Sequence, residues 1–250
     1  MNAYYSFFDN NIPTVREILY FGPLFLAYAI ICLGIAGYAK KKKRIKTGYS
    51  RKLFHFLIFF SAALIHSIWG IRYLCLFGSC TSLSIFYAIY RGKGFWGYDA
   101  LAREKDAPLE TLYIITPYLA TLLGGLFANI YWGPLAIFGY LVTGLGDAVG
   151  ELVGTRWGRH TYKAPSLSQV KATRSLEGSF AVWLVSFLAL ICCAYLFFQW
   201  PFSLLSLTIL AFAATASALA EALSPHGWDN LTMQVLPVYL ISLFDICAMT

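Results

Sequence analysis

The stretch GDAVGELVGTRWG, residues 146–158, decides how this chain is read. Gly146, Gly150, Gly154 and Gly158 recur at intervals of four, and Asp147 and Glu151 stand beside them, also four apart. A spacing of four stacks residues along one face of an α-helix. The segment is therefore expected to be a helix with a glycine ridge flanked by two carboxylates. Glycine disfavours a helix interior by about 1 kcal/mol relative to alanine, so four in register need a reason. Close helix packing in a membrane is one, because small-xxx-small ridges let backbones meet. That reason leaves the two acids unexplained, since carboxylates at a membrane helix end are costly and tend to be functional. The ridge is expected to belong to a site.

The rest of the chain agrees with a membrane setting. Of its 250 residues 59% are hydrophobic and 12% charged, and the mean hydropathy is +0.64. These values exclude an ordinary soluble domain and point to a polytopic, all-α membrane bundle. Apolar runs of spanning length, roughly 17–25 residues, fall at about 20–39, 53–70, 72–90, 111–129, 131–149, 179–199, 202–221 and 231–248, which predicts about eight transmembrane helices. The six cysteines lie in apolar runs without a CxxC pair and read as packing residues. The first nineteen residues lack the features of a signal or transit peptide, so a short polar segment over 1–19 is expected to precede one domain over 20–250.

The charges fix an orientation. Seventeen of the nineteen Lys and Arg fall in alternate connections, near 40–52, 91–110 and 150–178; Arg16 and Arg72 are the exceptions. By the positive-inside rule these loops, and the loop near 222–230, are expected to be cytoplasmic and both termini non-cytoplasmic. The short turns on the other side carry Trp69, Tyr73, Tyr131, Trp132 and Trp200, as an interfacial belt does. The net charge of +7 is thereby assigned to anionic lipid or an anionic substrate, and not to nucleic acid. The mixed segment RGKGFWGYDALAREKDAPLE, 91–110, is expected to lie along the interface as a short amphipathic helix.

Three clusters on that face carry possible chemistry. In Arg51-Lys52-x-x-His55, His55 lies one turn beyond Arg51; the alternatives are topology signals and a buried histidine satisfied by a carbonyl. The second cluster is the ridge with Asp147 and Glu151, followed by Lys171-Ala-Thr-Arg174-Ser175-Leu-Glu177-Gly178-Ser179. Cations, hydroxyls and glycine at a new helix start suit polyphosphate; helix capping by Ser175 or Ser179 is the alternative. It is neither a Walker loop nor a dinucleotide fingerprint. The third is Glu221 and the loop Pro225 to Thr232, where Asp229 or Asn230 can equally cap the last helix.

Taken in order, Arg51-Lys52-x-x-His55, Gly146-Asp147-x-x-Gly150-x-x-x-Gly154-x-x-x-Gly158, Arg174-Ser175-Leu-Glu177-Gly178-Ser179 and Asp229-Asn230-Leu-Thr232 resemble the polyprenol kinase family. That family includes phytol kinases, dolichol kinases and CTP-dependent diacylglycerol kinases. The motifs run from position 51 to 232 in family order. Arg174 stands where the family often has lysine, with Lys171 nearby. The resemblance implies a membrane enzyme that phosphorylates a lipid alcohol such as phytol or a polyprenol, with CTP as donor and Mg²⁺ or another divalent cation. It implies catalytic roles for Asp147, Glu151, Arg51, Lys52 and His55. Gly150, Gly154, Gly158, Lys171, Arg174, Ser175, Glu177, Gly178, Ser179, Asp229 and Asn230 are implied to hold the nucleotide. Asp147 and Glu151, one turn apart, can share the metal through one carboxylate each; Asp147 can instead take the hydroxyl proton. The alternatives are a CTP-dependent diacylglycerol kinase, a phosphatidate cytidylyltransferase-like enzyme, whose KR…KD…HGG…DR signature is absent, and more distantly a small-solute transporter.

Overall fold

The structure, a computed structural model, describes the backbone of residues 3–43, 47–166 and 172–248. It is all-α apart from one small hairpin. The helices are α1 (Ala3–Asn11), α2 (Val15–Lys43), α3 (Thr47–Trp69), α4 (Ile71–Arg91), α5 (Trp96–Leu101), α6 (Leu112–Trp132), α7 (Ala136–Leu141), α8 (Ala148–Trp157), α9 (Leu176–Phe198), α10 (Leu204–Leu223) and α11 (Asp229–Ala248). Strands β1 (Thr161–Ala164) and β2 (Ala172–Ser175) pair antiparallel between α8 and α9, with Tyr162 opposite Arg174.

Six stretches among the described residues are long and apolar enough to cross a membrane, which supports a multi-pass membrane protein. One of them, Leu112–Trp157, is 46 residues long. At 1.5 Å per residue that is roughly 69 Å of helix, about twice a bilayer core. A 3₁₀ turn at Gly133–Leu135, with Gly133 at φ 51°, breaks it into α6 and a second segment, α7 to α8. The eighth expected span is α11, which is helical but is not among the six, so the count of eight is approximate.

The chain forms two compact units, Met1–Ile114 and Ile115–Thr250. In the first, α2 buries Ala29, Cys32, Leu33 and Ala36, a 3.6-period stripe. The opposite face leaves Leu24 and Ile31 more than half exposed, as lipid-facing positions are. Within 1–19 the described residues form α1 and the first turn of α2. Thr14 and Glu17 form a capping box that starts α2 at Val15: the Thr14 N–H donates to Glu17 Oε2 at 2.7 Å and the Glu17 N–H to Thr14 Oγ1 at 3.3 Å. One expectation is corrected here. Segment 91–110 is not one amphipathic helix. Only α5 and a 3₁₀ turn at Glu104–Asp106 form, fixed by a buried two-pronged pair, Arg103 Nε to Asp106 Oδ2 at 2.7 Å and Nη2 to Oδ1 at 3.0 Å.

In the second unit, small residues set the helix spacing. A Cβ on Gly139 would sit 2.3 Å from the Gln234 carbonyl oxygen, and one on Gly124 3.0 Å from Leu231 Cα. Glycine at these places lets α11 lie directly on α6 and α7. Asn230 joins the start of α11 to α6, its Nδ2 donating to Thr121 Oγ1 at 2.8 Å and to the Pro117 carbonyl at 3.2 Å.

Candidate active site

The ridge segment is helical as its spacing predicts, but it opens on an irregularity. Val142–Asp147 forms a π-helical turn, which ends at Asp147 and passes into α8. Such turns widen the helix by one residue and recur at functional sites. Asp147 is 4% exposed there, and Glu151, one turn on, is half-buried.

The glycine face itself is covered by α9. A Cβ on Gly146 would meet Ser186 Oγ at 2.4 Å, one on Gly150 would meet Val182 Cγ2 at 2.3 Å, and one on Gly154 Ser175 Oγ at 3.0 Å. Gly178, on the facing helix, would meet the Gly150 carbonyl at 3.0 Å and Gly154 Cα at 3.2 Å. The close approach at Gly146, Gly150 and Gly154 is therefore between two helices. Gly158 ends the ridge, where the chain leaves α8 for the hairpin and Ser175 lies 2.7 Å from its absent Cβ.

The hairpin sets Arg174 and Tyr162 beside that contact. Arg174 is 11% exposed, and its three nitrogens all have protein acceptors: Nε with Glu221 at 2.7 Å, Nη2 with Asp229 at 2.9 Å, and Nη1 with the carbonyls of Ala222 and Ser224 at 3.0 and 3.1 Å. Burial alone would lower the Arg174 pKa; the negative charges of Glu221, Asp229 and Asp147 outweigh it and hold the guanidinium above its ordinary value. Asp147 thus lies within electrostatic reach of Arg174. Across the hairpin, Tyr162 shares a 2.6 Å hydrogen bond with Ser179. Burial pushes the Tyr162 phenol up.

The other residues singled out from the sequence also have protein partners. Ser175 caps α9, accepting from the Gly178 N–H at 3.1 Å. Glu177 faces His160, with Oε1 at 2.8 Å from Nδ1 and accepting from the His160 N–H at 3.3 Å. Asp229 Oδ1 accepts from the Asn230 N–H, and the His226 N–H donates to the Pro165 carbonyl, which draws the third loop to the hairpin. The structure therefore gathers Asp147, Arg174, Glu221 and Asp229. Glu221 is a single acid ending an apolar helix; Tyr162 went unremarked in the sequence because the strand carrying it read as loop. Lys171 falls outside the described residues. Arg51, Lys52 and His55 lie on α3 in the first unit, where Lys52 is 5% exposed, Arg51 and His55 are half-buried, and His55 packs on Phe59 with ring centroids 4.5 Å apart.

Among the described residues no three His, Cys, Asp or Glu side chains gather as a metal cage. Asp147 and Glu151 instead offer two carboxylates on one helix face. That donor set suits a hard divalent cation whose remaining ligands are phosphate oxygens and water, as Mg²⁺ sites on nucleotides are built.

The chain is similar to a phytol kinase of Synechocystis sp., with 35% identity over 115 residues, 46% of this chain. It spans about half the length of that curated relative, the match covering 46% of it. No family model matches, and no solved structure matches. The resemblance to polyprenol kinases is supported by this relative as well as by the motifs.

Proposed function

We propose that this chain is a membrane lipid-alcohol kinase that transfers the γ-phosphate of a nucleoside triphosphate, CTP in the favoured form, to an isoprenoid alcohol such as phytol or a polyprenol. The observation that carries the reading is the placement of Asp147: a nearly buried carboxylate ending a π-helical turn, one turn from Glu151 and within electrostatic reach of Arg174. The sequence similarity supplies the class of acceptor.

In this reading the substrate hydroxyl oxygen bonds to the γ-phosphorus, the bond from that phosphorus to the β–γ bridging oxygen breaks, and the nucleoside diphosphate leaves. The hydroxyl proton is lost to a base or to water. Asp147 and Glu151 would hold a divalent cation that accompanies the donor, and that cation would offset charge on the phosphate oxygens. Arg174 acts one step back. It fixes Glu221 and Asp229 and adds positive potential near Asp147, while its own nitrogens are held by protein oxygens. The polar clusters face the cytoplasm in this proposal, with both termini on the other side.

The test is to incubate membranes containing the full chain with phytol and with CTP labelled at either the α- or the γ-phosphate. Label from γ in the lipid is the expected result. Label from α identifies cytidylyl transfer and overturns the kinase reading; no label in lipid from either position overturns both.

A further inference from the structure

The first unit carries a separate cavity of about 820 Å³, lined by Lys40, Lys41, Arg91 and Lys93, by Asp99, and by Phe95 and Trp96. It lies where α2 and α4 end. One wall is preformed: Gly37 leaves no room for a Cβ, which would stand 3.0 Å from both the Trp96 ring and the Trp96 carbonyl. The far side is open, since nothing lies within 4 Å of a Cβ on Gly94.

The four cations differ in what already faces them. Lys40 pairs with Glu104 at 2.7 Å and Lys93 with Glu110 at 2.9 Å. Asp99 is turned into the loop, where its Oδ1 accepts the Gly94 N–H at 3.1 Å. Lys41 and Arg91 have no carboxylate partner among the described residues. Arg91 is nonetheless held in place. Its guanidinium carbon lies 4.9 Å from the Phe95 ring centroid, and Nη1 donates to the Tyr87 hydroxyl at 2.8 Å. A cation fixed by an aromatic ring at the mouth of a cavity loses little freedom on meeting an anion.

Topology signals and helix-end charges need no cavity and no fixed guanidinium, so neither accounts for this arrangement. The depth of the site points to the kind of anion. Tyr87 and Tyr90, one turn or less from Arg91, are 51% and 85% exposed, as aromatic side chains at headgroup level are. We propose that this cavity binds the phosphate of an anionic lipid headgroup, with Lys41 and Arg91 as its principal contacts. The site is independent of the kinase reading. A soluble phosphate shares the chemistry, and the experiment separates the two sources.

Native mass spectrometry on the full chain in detergent, titrated with phosphatidylglycerol or phosphatidylcholine, reads the first lipid bound. The expected result is preferential binding of phosphatidylglycerol, weakened roughly thirtyfold by Lys41→Ala with Arg91→Ala, each cation near an anionic headgroup contributing a factor of about five. The charge-matched pair Arg156→Ala with Arg159→Ala, exposed cations of the other unit, should weaken it less than threefold. Equal loss in both pairs, or none in the first, overturns the site. Displacement of phosphatidylglycerol by millimolar inorganic phosphate or CTP overturns the lipid assignment in favour of a soluble anion. If the double variant fails to fold, Lys41→Ala alone, at an exposed position, carries the test, with about a fivefold loss expected and no loss overturning the proposal.

Discussion

Arg174 and Arg91 are two arginines that the sequence treats alike and the structure treats oppositely. Each stands beside a long helix, Arg91 at the end of α4 and Arg174 two residues before α9, and each falls in a connection rich in cations. Arg174 is 11% exposed, with four protein oxygens on its nitrogens. Arg91 is exposed, stacked on Phe95 and bonded to one tyrosine hydroxyl. The difference lies in the partners that tertiary structure brings: Glu221 and Asp229, about fifty residues away in sequence, reach Arg174, whereas no carboxylate among the described residues pairs with Arg91. A cation in a basic loop therefore identifies a ligand site only after its protein acceptors are counted. By that count we assign Arg174 to the framework in the proposed function, and Arg91 to the proposed lipid site.

The largest expected effect is at Asp147, the acid within electrostatic reach of Arg174. Asp147→Asn keeps the shape and removes the charge, so lipid phosphorylation should fall about 10²–10⁴-fold while the protein still inserts and purifies. Raising Mg²⁺ should recover part of the loss if the carboxylate holds the cation, and none if it takes the hydroxyl proton. Near-normal phosphorylation by Asp147→Asn would place the chemistry elsewhere and leave Arg174 with no site to support.

Arg174→Ala comes next, and it separates framework from ligand most directly. Removing the guanidinium leaves Glu221 and Asp229 as mostly buried carboxylates without their counter-charge, a loss of about 3–5 kcal/mol when a buried pair is broken. Thermal unfolding in detergent should show a strongly destabilised protein. Arg174→Lys should recover only part of this, because one ammonium cannot span four acceptors in the plane of a guanidinium. A stable Arg174→Ala protein with a raised KM for the nucleotide alone would reverse the comparison and make Arg174 a phosphate ligand.

Much of this fold was legible in the sequence, and the residues explain where legibility stopped. Each expected span falls mostly on helix, 131–149 on α7, the π-helical turn and the start of α8, because long apolar runs leave the backbone no other way to satisfy itself in a membrane. The ridge was legible as a helix from its period of four, but what covered it was not: nothing local ties Gly150 to Val182 or Gly146 to Ser186. The start of α2 was written in Thr14-Val15-Arg16-Glu17, a capping box hidden ahead of the apolar run. The hairpin was missed because four-residue strands of mixed polarity show no clear alternation. For the site, Asp147, Glu221 and Asp229 were singled out from type and spacing. Their convergence on Arg174 was not legible, since the hairpin, the end of α10 and the start of α11 are brought together only by folding.

Gly150→Ala tests the packing that sets the hairpin beside Asp147. Alanine gains about 1 kcal/mol of helix propensity over glycine, but its Cβ would stand 2.3 Å from Val182 Cγ2. Val182 is 1% exposed and branched at Cβ, so it has little freedom to swing away. Overpacking costs about 1–3 kcal/mol and should win, giving net destabilisation. Gly154→Ala meets Ser175 Oγ at 3.0 Å and Gly178 Cα at an ordinary 3.6 Å, and should be close to neutral. Adding Val182→Ala should rescue Gly150→Ala; if it does not, the glycine face does something other than admit α9.

The smallest expected effect is at the other arginine. Arg91→Ala removes one hydrogen bond to Tyr87 and a stack on Phe95, both at the surface. An exposed cation–π contact contributes about 0.5–1 kcal/mol, and exposed substitutions are usually within about 0.5 kcal/mol. Thermal unfolding in a neutral detergent should therefore change little, in contrast to Arg174→Ala. The same comparison in vesicles containing phosphatidylglycerol should widen the gap between Arg91→Ala and the parent, because a ligand that binds the folded state stabilises it by mass action. That gap should close again as salt is raised, since the contacts lie at the surface, where a Debye length of about 8 Å at physiological ionic strength screens them. A large loss of stability in neutral detergent would mean that Arg91, like Arg174, holds the fold together, and the distinction between the two arginines would fail.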